Sequence, residues 1–334
     1  MMIMVTNIIM EYHGRFFQTH ISQDRPMIKA KTWRCALFLL AGLVSVGALA
    51  EARQVEDAMG NRVMVPDQPQ RIVTLGEVDL DVALALGITP VGTTDGRGQA
   101  APPRYLEQRL TEQTRSLGLL ANPNLETLLE LEPDLILTGP VTPEQLAILN
   151  EIAPTAVSYT QGEPWRDSTR RVANILNREA EGEQLLEHYE ERAAQGRERL
   201  KEHQGESISI VRWNPKGPAF MLRDSFASTI ARDLGLVRPP QQQQPGPTHS
   251  MPLSLESLDV LDGDWLVIGT LAPVGEAVDA LRQAEKTPMY QQLGAIKGGR
   301  YQAVDGSVWT SSFGPLAAEQ VIEDIEALIL GSDQ

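Results

Sequence analysis

Short apolar runs alternate with segments of helical spacing from residue 51 to about residue 160. The runs Arg71–Leu75 and Pro133–Thr138 are rich in aliphatic and β-branched residues and predict buried strands, as does the shorter Pro90–Gly92. Acidic or proline residues open three periodic segments that predict helices: Asp79–Gly87, Pro123–Leu131 and Thr142–Ile152. Strands that alternate with short helices imply a mainly parallel sheet covered on both faces, so residues 51–160 are predicted to form a first α/β lobe.

A long charged segment follows this lobe. Between Asp167 and His203 the sequence is rich in Glu and Arg, and apolar residues recur every three or four positions. This spacing predicts one long amphipathic helix, bent near Gly182. Residues 161–204 are therefore predicted to be a linker helix.

The alternation of strands and helices resumes after the linker. Strands are predicted at Ser207–Val211, Trp265–Ile268 and Tyr301–Val304, and helices at Phe226–Leu234, Leu253–Leu261 and Gly314–Leu330. Residues 205–334 are thus predicted to form a second α/β lobe, and the fold class is two α/β lobes joined by one long helix.

The first fifty residues differ from the rest. Lys29, Lys31 and Arg34 form a basic region, Ala36–Leu49 is apolar, and Ala48–Ala50 has the small-residue pattern of a cleavage site. This order is typical of a secretory signal peptide over residues 27–50, cleaved after Ala50, and predicts an exported protein. Residues 1–26 precede any such leader and are interpreted as an extension upstream of the natural start. Cys35 precedes the apolar run, which argues against a lipid anchor.

Composition and charge narrow the possible partners. The 334 residues carry 44 acidic and 29 basic side chains, a formal net charge of −15. Such a chain repels phosphate backbones, so nucleic-acid binding is not expected. The one cysteine, Cys35, allows no intramolecular disulfide.

Signatures of an enzyme are scarce. The sequence holds no phosphate-binding loop, no nucleophile-elbow motif and no H-E-x-x-H, and Gly96–Arg97–Gly98 lacks the third glycine of a dinucleotide site. Glu77, Asp79 and Asp81 suggest a metal site, but acidic residues are also favoured at a helix N-terminus, and we prefer that interpretation. No metal site is predicted, and a secreted α/β enzyme remains a less favoured alternative.

Aromatic and basic residues near the ends of the predicted strands suggest a ligand site. Ligands of open α/β sheets bind where the strands end, and a bulky ligand there needs aromatic walls and polar donors. The candidate ligand-binding residues are Arg97, Tyr105, Arg212, Trp213, Arg223, His249, Trp309 and Phe313.

Three stretches resemble the periplasmic binding proteins of ferric-siderophore ABC importers, in the iron/cobalamin-binding class. They are RIVTLGEVDLDVALALGITPVGTTD from Arg71, LGLLANPNLETLLELEPDLILTG from Leu117, and VDGSVWTSSFGPLAAEQVIEDIEALI from Val304. The resemblance implies the class III periplasmic-binding-protein fold, with a ferric siderophore held between the lobes and its iron coordinated by the siderophore. It further implies a monomer without a cofactor that delivers its ligand to an inner-membrane ABC permease. Glu126 and Glu256 match the family's permease-docking acids.

The resemblance leaves the siderophore type open. The ferric-hydroxamate binder of this family has an arginine where this sequence has Leu120, and tryptophans near Glu77 and Thr138. A carboxylate or mixed-ligand siderophore is therefore as plausible as a hydroxamate. Haem or cobalamin is an alternative ligand, with Tyr105 or His249 available as an axial ligand to haem iron.

Overall fold

The computed structural model describes residues 51–311 and 313–331. The predicted signal peptide and the extension before it lie outside these residues.

The first lobe is built on a five-stranded parallel sheet. A separate antiparallel hairpin of β1 (Ala52–Glu56) and β2 (Arg62–Pro66) precedes it. The sheet has the order β5-β4-β3-β6-β7, with all neighbouring strands parallel. Its strands are β3 (Ile72–Thr74), β4 (Gly92–Thr93), β5 (Arg115–Ser116), β6 (Leu135–Thr138) and β7 (Thr155–Val157).

Three α-helices of this lobe begin at recognisable signals. They are α1 (Glu77–Ala85), α2 (Leu125–Glu130) and α3 (Pro143–Ile152). The Asn124 side chain caps α2, and Thr142 forms a capping box with Gln145 at the start of α3. A 3₁₀ helix, Arg104–Arg109, lies between β4 and β5.

The linker consists of two helices rather than one. The first is α4 (Trp165–Ile175) and the second is α5 (Glu179–Arg199). The break falls at Asn177, whose φ of 56° interrupts the helical backbone, whereas Gly182 lies inside α5. The predicted bend is therefore five residues too late. Gly182 instead lies where α5 packs closely on Ala173 of α4.

The second lobe has a four-stranded mixed sheet in the order β11-β10-β8-β9. Strands β8 (Ile208–Asn214), β10 (Trp265–Thr270) and β11 (Tyr301–Asp305) are parallel, and β9 (Gly217–Phe220) pairs antiparallel with β8. The helices are α6 (Phe226–Asp233), α7 (Glu276–Ala284), α8 (Pro288–Gln291), α9 (Gly294–Lys297), α10 (Gly306–Ser311) and α11 (Pro315–Gly331). The helix predicted at Leu253–Leu261 is a 3₁₀ helix, Leu255–Leu261, kinked at Ser257. Two further 3₁₀ turns are Lys201–His203 and Pro240–Gln242.

The two-lobe α/β architecture predicted from the sequence is confirmed. Each sheet is covered by helices, and the buried apolar side chains of the second lobe continue into α5 and α11. Within residues 51–311 and 313–331, no helix is long and apolar enough to cross a membrane.

Candidate functional site

A cavity of about 700 Å³ lies between the two sheets. On the first lobe its walls come from the segments that directly follow β3, β4, β5, β6 and β7, as expected for ligand sites of parallel sheets. Residues of β8 and α10 and of the loop around His249 supply the other wall. The volume lies within the range of small-molecule binding sites.

Two predicted arginines line this cavity from opposite lobes. Arg97 is exposed in the loop after β4, whereas Arg212 is only 3% exposed in β8 and donates hydrogen bonds to the hydroxyl and carbonyl oxygens of Thr310. Burial, together with the nearby charge of Arg97, lowers the pKa of Arg212 to about 10, so Arg212 remains a cation at neutral pH. No carboxylate of the described residues lies within salt-bridge distance of either guanidinium.

Glu77 lies at the turn from β3 into α1 and lines the same cavity as these arginines. Its carboxylate accepts hydrogen bonds from the Arg97 backbone N–H at 2.5 Å and from the Ser311 hydroxyl at 3.3 Å. Burial raises the pKa of Glu77, and the hydrogen bonds and the Arg97 charge only partly offset that effect. Because Ser311 belongs to the second lobe, Glu77 also joins the two walls of the cavity.

Asp79 and Tyr159 form a polar cluster behind Glu77. Asp79 is fully buried, accepts a hydrogen bond from the Ser158 hydroxyl, and leaves Oδ2 without a partner. Burial raises the pKa of Asp79 to about 7. Burial and the charges of Asp79 and Glu77 together raise the pKa of Tyr159. The Tyr159 ring packs on Gly139, where a Cβ atom would stand 2.4 Å from the phenol oxygen.

Aromatic side chains form the apolar wall. Phe313 lies edge-to-face with Phe226 at a centroid distance of 5.8 Å, and both line the cavity with Trp309. Trp309 lies in α10, and its indole N–H donates to Asp324 at 2.8 Å. His249 also lines the cavity, and its Nδ1 lies 2.7 Å from the Ser250 carbonyl oxygen, which makes Nδ1 the protonated nitrogen.

Three predicted ligand-binding residues do not line this cavity. Trp213 is inside β8, one residue after Arg212, and so points to the opposite face of the sheet, where it packs against Tyr290. The Tyr105 hydroxyl donates to Asp81 at 2.9 Å. Arg223 is exposed, is paired with Asp224 at 3.1 Å, and borders a smaller depression instead.

The interpretation of Glu77, Asp79 and Asp81 as acids at their own helix N-terminus is wrong for Asp81. Its carboxylate accepts hydrogen bonds from the backbone N–H groups of Leu316 and Ala317, both at 3.0 Å, and so caps α11. Burial raises the pKa of Asp81 to about 6. Among the residues that the structure covers, no group of three or more His, Cys, Asp or Glu could hold a metal ion.

An ion pair also connects the two lobes beside the cavity. Arg104 donates from Nε and Nη2 to Asp305, at 3.1 and 2.5 Å, and from Nη1 to the Leu271 carbonyl oxygen at 3.3 Å. This bidentate pair lies near Glu77, whose pKa the Asp305 charge helps to raise.

The proposed docking acids do not line the cavity. Glu126 is exposed in the first turn of α2, and Glu256 is exposed in the first turn of the 3₁₀ helix Leu255–Leu261. Apolar side chains with 40–62% exposure flank them: Leu125 and Leu129 beside Glu126, and Leu255 beside Glu256.

Sequence reasoning missed several cavity residues, namely Glu77, Tyr159, Glu163, Met221 and Phe226. Tyr159 and Glu163 follow β7, a three-residue strand whose run Thr155–Val157 was too short to be predicted. Met221 follows the equally unpredicted β9. The available signal was positional, because Glu77 and Phe226 begin helices, Met221 directly follows a strand, and Tyr159 and Glu163 lie in the loop after β7.

The family model for a periplasmic binding protein matches residues 72–306. Over 295 residues the chain is 30% identical to a probable siderophore-binding lipoprotein, YfiY, of Bacillus subtilis (strain 168), covering 84% of this chain and 89% of the relative. The chain therefore belongs to the periplasmic binding protein family. This family and the curated relatives are substrate-binding proteins.

Other similarities point the same way. The achromobactin-binding periplasmic protein of Dickeya dadantii (strain 3937) is 29% identical over 263 residues, with 77% of this chain and 85% of that protein covered. Among solved structures, SirA of Staphylococcus aureus in complex with staphyloferrin B matches with a TM-score of 0.70 and 24% identity, covering 83% of this chain and 98% of that one. At this identity the match establishes the fold, which is that of the class III binding proteins.

Proposed function

We propose that this protein captures a ferric siderophore in the cavity between its lobes and delivers it to an inner-membrane ABC permease for iron uptake. The observation that carries this proposal is the pairing of Arg97 and Arg212 in one cavity, from opposite lobes and without a carboxylate in salt-bridge contact. Guanidinium groups bind oxygen-rich anions through paired N–H donors, and an anionic ferric complex presents such oxygens.

The cavity also suits the size and mixed character of such a complex. The aromatic wall of Phe226, Trp309 and Phe313 supports the organic part of a ligand, while the arginines occupy the polar side. The siderophore would coordinate the iron, so the protein itself would need no metal ligands. Relatives described as binding ferric dicitrate and achromobactin support a ligand rich in carboxylates.

The surroundings of Tyr159, a tyrosine of the cavity wall, disfavour a bond from this residue to haem iron. The neighbouring acids Asp79 and Glu77 and the burial of the phenol raise its pKa, which opposes the phenolate needed for an axial bond to iron. Of the two axial ligands considered for haem, Tyr105 is bonded to Asp81 and does not line the cavity, whereas His249 does line it.

Export and docking complete the proposal. A signal peptide over residues 27–50 would direct the chain to the periplasm, where a monomer would meet the permease. Glu126 and Glu256 are proposed as the docking acids, one on each lobe, because both are exposed and neither lines the cavity.

The test is a fluorescence titration of the chain beginning at Glu51 with a panel of ferric complexes. The panel contains ferric citrate, ferric achromobactin, ferric staphyloferrin B, ferrioxamine and a ferric catecholate, with haem and cobalamin as controls. Saturable quenching by one ferric complex is expected, because Trp309 lines the cavity. Binding of haem or cobalamin alone, or of none of the panel, would contradict the proposal.

A further inference from the structure

The ionised Glu77 offsets one of the two positive charges that the arginines bring to the cavity. Arg97 and Arg212 supply these positive charges, and Glu77 lines the same cavity. Two other acids of the cavity wall have their own partners: Glu163 pairs with Arg171 at 2.7 Å, and Asp95 accepts a hydrogen bond from Ser116, which lies outside the cavity. Glu77 is thus the carboxylate of the cavity wall that is bonded to the Arg97 backbone and interacts with both arginines through charge alone.

Other titratable and charged groups surround Glu77. Arg97 and Tyr159 face it from its own lobe, and Arg212 and Asp305 face it from the second lobe. Asp305 is neutralised by Arg104. The remaining groups nearby or on the cavity wall are Asp79, Asp95, Glu163 and His249.

We infer that Glu77 is the internal counter-charge of the two arginines and takes up a proton when an anionic ferric complex binds. The inference rests on the proposed function and specifies its ligand class, a ferric complex with net negative charge. An anion that binds Arg97 and Arg212 withdraws their stabilisation from the Glu77 carboxylate and adds a like charge beside it. Both effects favour the protonated acid.

The hydrogen bonds of Glu77 allow this change without rearrangement. A protonated carboxyl keeps one oxygen to accept from the Arg97 backbone N–H, while its O–H can donate to the Ser311 hydroxyl oxygen. Burial already raises the pKa of Glu77 before any ligand is bound, which brings protonation closer to neutral pH. The expected consequence is an affinity for anionic complexes that increases as the pH falls.

The experiment is isothermal titration calorimetry of the wild type and Glu77→Gln, with each of ferric citrate, ferric achromobactin, ferric staphyloferrin B and ferrioxamine. Titrations in two buffers of different ionisation enthalpy count the protons taken up on binding. A series between about pH 5 and 8 gives the slope of the logarithm of the affinity against pH. One linked proton changes the affinity by up to about tenfold per pH unit. Comparison of wild type with Glu77→Gln cancels protons bound by the ferric complex itself.

We expect the wild type to take up a proton when it binds an anionic complex. Glu77→Gln should show no such uptake, and its affinity should depend much less on pH. Glu77→Gln should also bind the anionic complex about tenfold more tightly at the highest pH, because a like charge is removed. Asp79→Asn tests whether the other buried acid takes up the proton. If the pH dependence of the affinity is lost in Asp79→Asn but kept in Glu77→Gln, the inference is overturned.

Two further outcomes distinguish failure of this inference from failure of the proposed function on which it rests. If the wild type binds an anionic complex without proton uptake, or binds only ferrioxamine, the inference fails while the siderophore-binding function stands. If the wild type binds none of these complexes, the proposed function fails and the inference with it. Absence of proton uptake in the wild type overturns the inference without any variant, whereas a measured uptake is assigned to Glu77 by comparison with Glu77→Gln.

Discussion

At the scale of single residues, adjacent positions of one strand have opposite roles. Arg212 and Trp213 are neighbours in β8, yet Arg212 lines the cavity while Trp213 is packed in the core beyond the sheet. The sequence identifies both as candidates for ligand binding. Because β8 extends to Asn214, Trp213 is still part of the strand, and its side chain points to the face opposite that of Arg212. Arg223 could not be placed from the sequence because its loop follows β9, which no periodicity predicts.

Arg97→Gln is expected to weaken binding of an anionic ferric complex by about ten- to hundredfold, because hydrogen bonds to a charged group are lost. The hydrogen bond from the Arg97 backbone N–H to Glu77 is unaffected by this substitution. Because the Arg97 side chain is exposed, the fold should persist. The matched control is Arg223→Gln, an exposed arginine outside the cavity, which should bind as the wild type does. Fluorescence titration measures both, and equal affinities for the two variants would contradict this role of Arg97.

Asp79 should make the folded protein less stable as the pH rises. Its pKa is raised to about 7 in the folded state against an ordinary 3.8, so the folded state binds the proton more tightly and loses stability between about pH 4 and 7. Asp79→Asn has no such proton. Between pH 5 and 8 its free energy of unfolding should therefore fall by about 2–3 kcal/mol less than that of the wild type. Urea unfolding at the two pH values measures this difference, and parallel losses in both proteins would contradict it.

At the scale of elements, the start of α11 is fixed by a residue of the other lobe. Asp81 of α1 caps α11 through Leu316 and Ala317, and Gly314 approaches so closely that a Cβ there would stand 2.2 Å from Asp81 Oδ1. Nothing local to residues 314–330 predicts this cap, because its partner is more than two hundred positions away in the sequence. The helix itself was predictable from its own periodicity.

Asp81→Ala is expected to lower the free energy of unfolding by about 1–3 kcal/mol, since two buried N–H groups lose their acceptor. Hydrogen exchange should accelerate at the amides of Leu316 and Ala317, while the amides of α3 serve as an internal reference. Asp81→Asn keeps one acceptor oxygen and should be less destabilised. Unchanged exchange at both amides in Asp81→Ala would show that the cap does not hold α11.

Most strands that the sequence predicted are buried, with the half-buried β11 as the exception, and most elements that it missed are short. Strands β3, β6, β8 and β10 are fully or almost fully buried apolar runs, which hydrophobic patterning detects. The short strands β5, β7 and β9 and the short helices α8–α10 are formed by pairing and packing with distant segments. The break at Asn177 was missed because the amphipathic spacing continues across it.

At the scale of the whole molecule, the two lobes are joined by several direct contacts as well as by the linker. Arg104–Asp305, Glu77–Ser311 and the Asp81 cap of α11 all connect the first lobe to the second beside the cavity. These contacts favour small relative motions of the lobes on binding. A permease would then recognise a nearly fixed separation between Glu126 and Glu256.

The double variant Glu126→Arg with Glu256→Arg should bind its ferric complex as the wild type does but should abolish iron uptake in cells. Charge reversal at both docking sites opposes a basic partner without altering the cavity. Glu187→Arg with Glu198→Arg, on the exposed side of α5, is the charge-matched control and should retain uptake. Uptake of iron-labelled siderophore measures the effect, and normal uptake by the first double variant would contradict the docking assignment.

Anomalous scattering of iron locates the bound complex directly. Crystals of the chain beginning at Glu51, grown with the ferric complex that binds most tightly, would be measured on both sides of the iron absorption edge. A single strong iron peak is expected in the cavity, with the oxygens of the complex in contact with Arg97 and Arg212 and its organic part against Trp309 and Phe313. An iron peak outside this cavity, or coordinated by protein side chains instead of the siderophore, would contradict binding between the lobes through the two arginines.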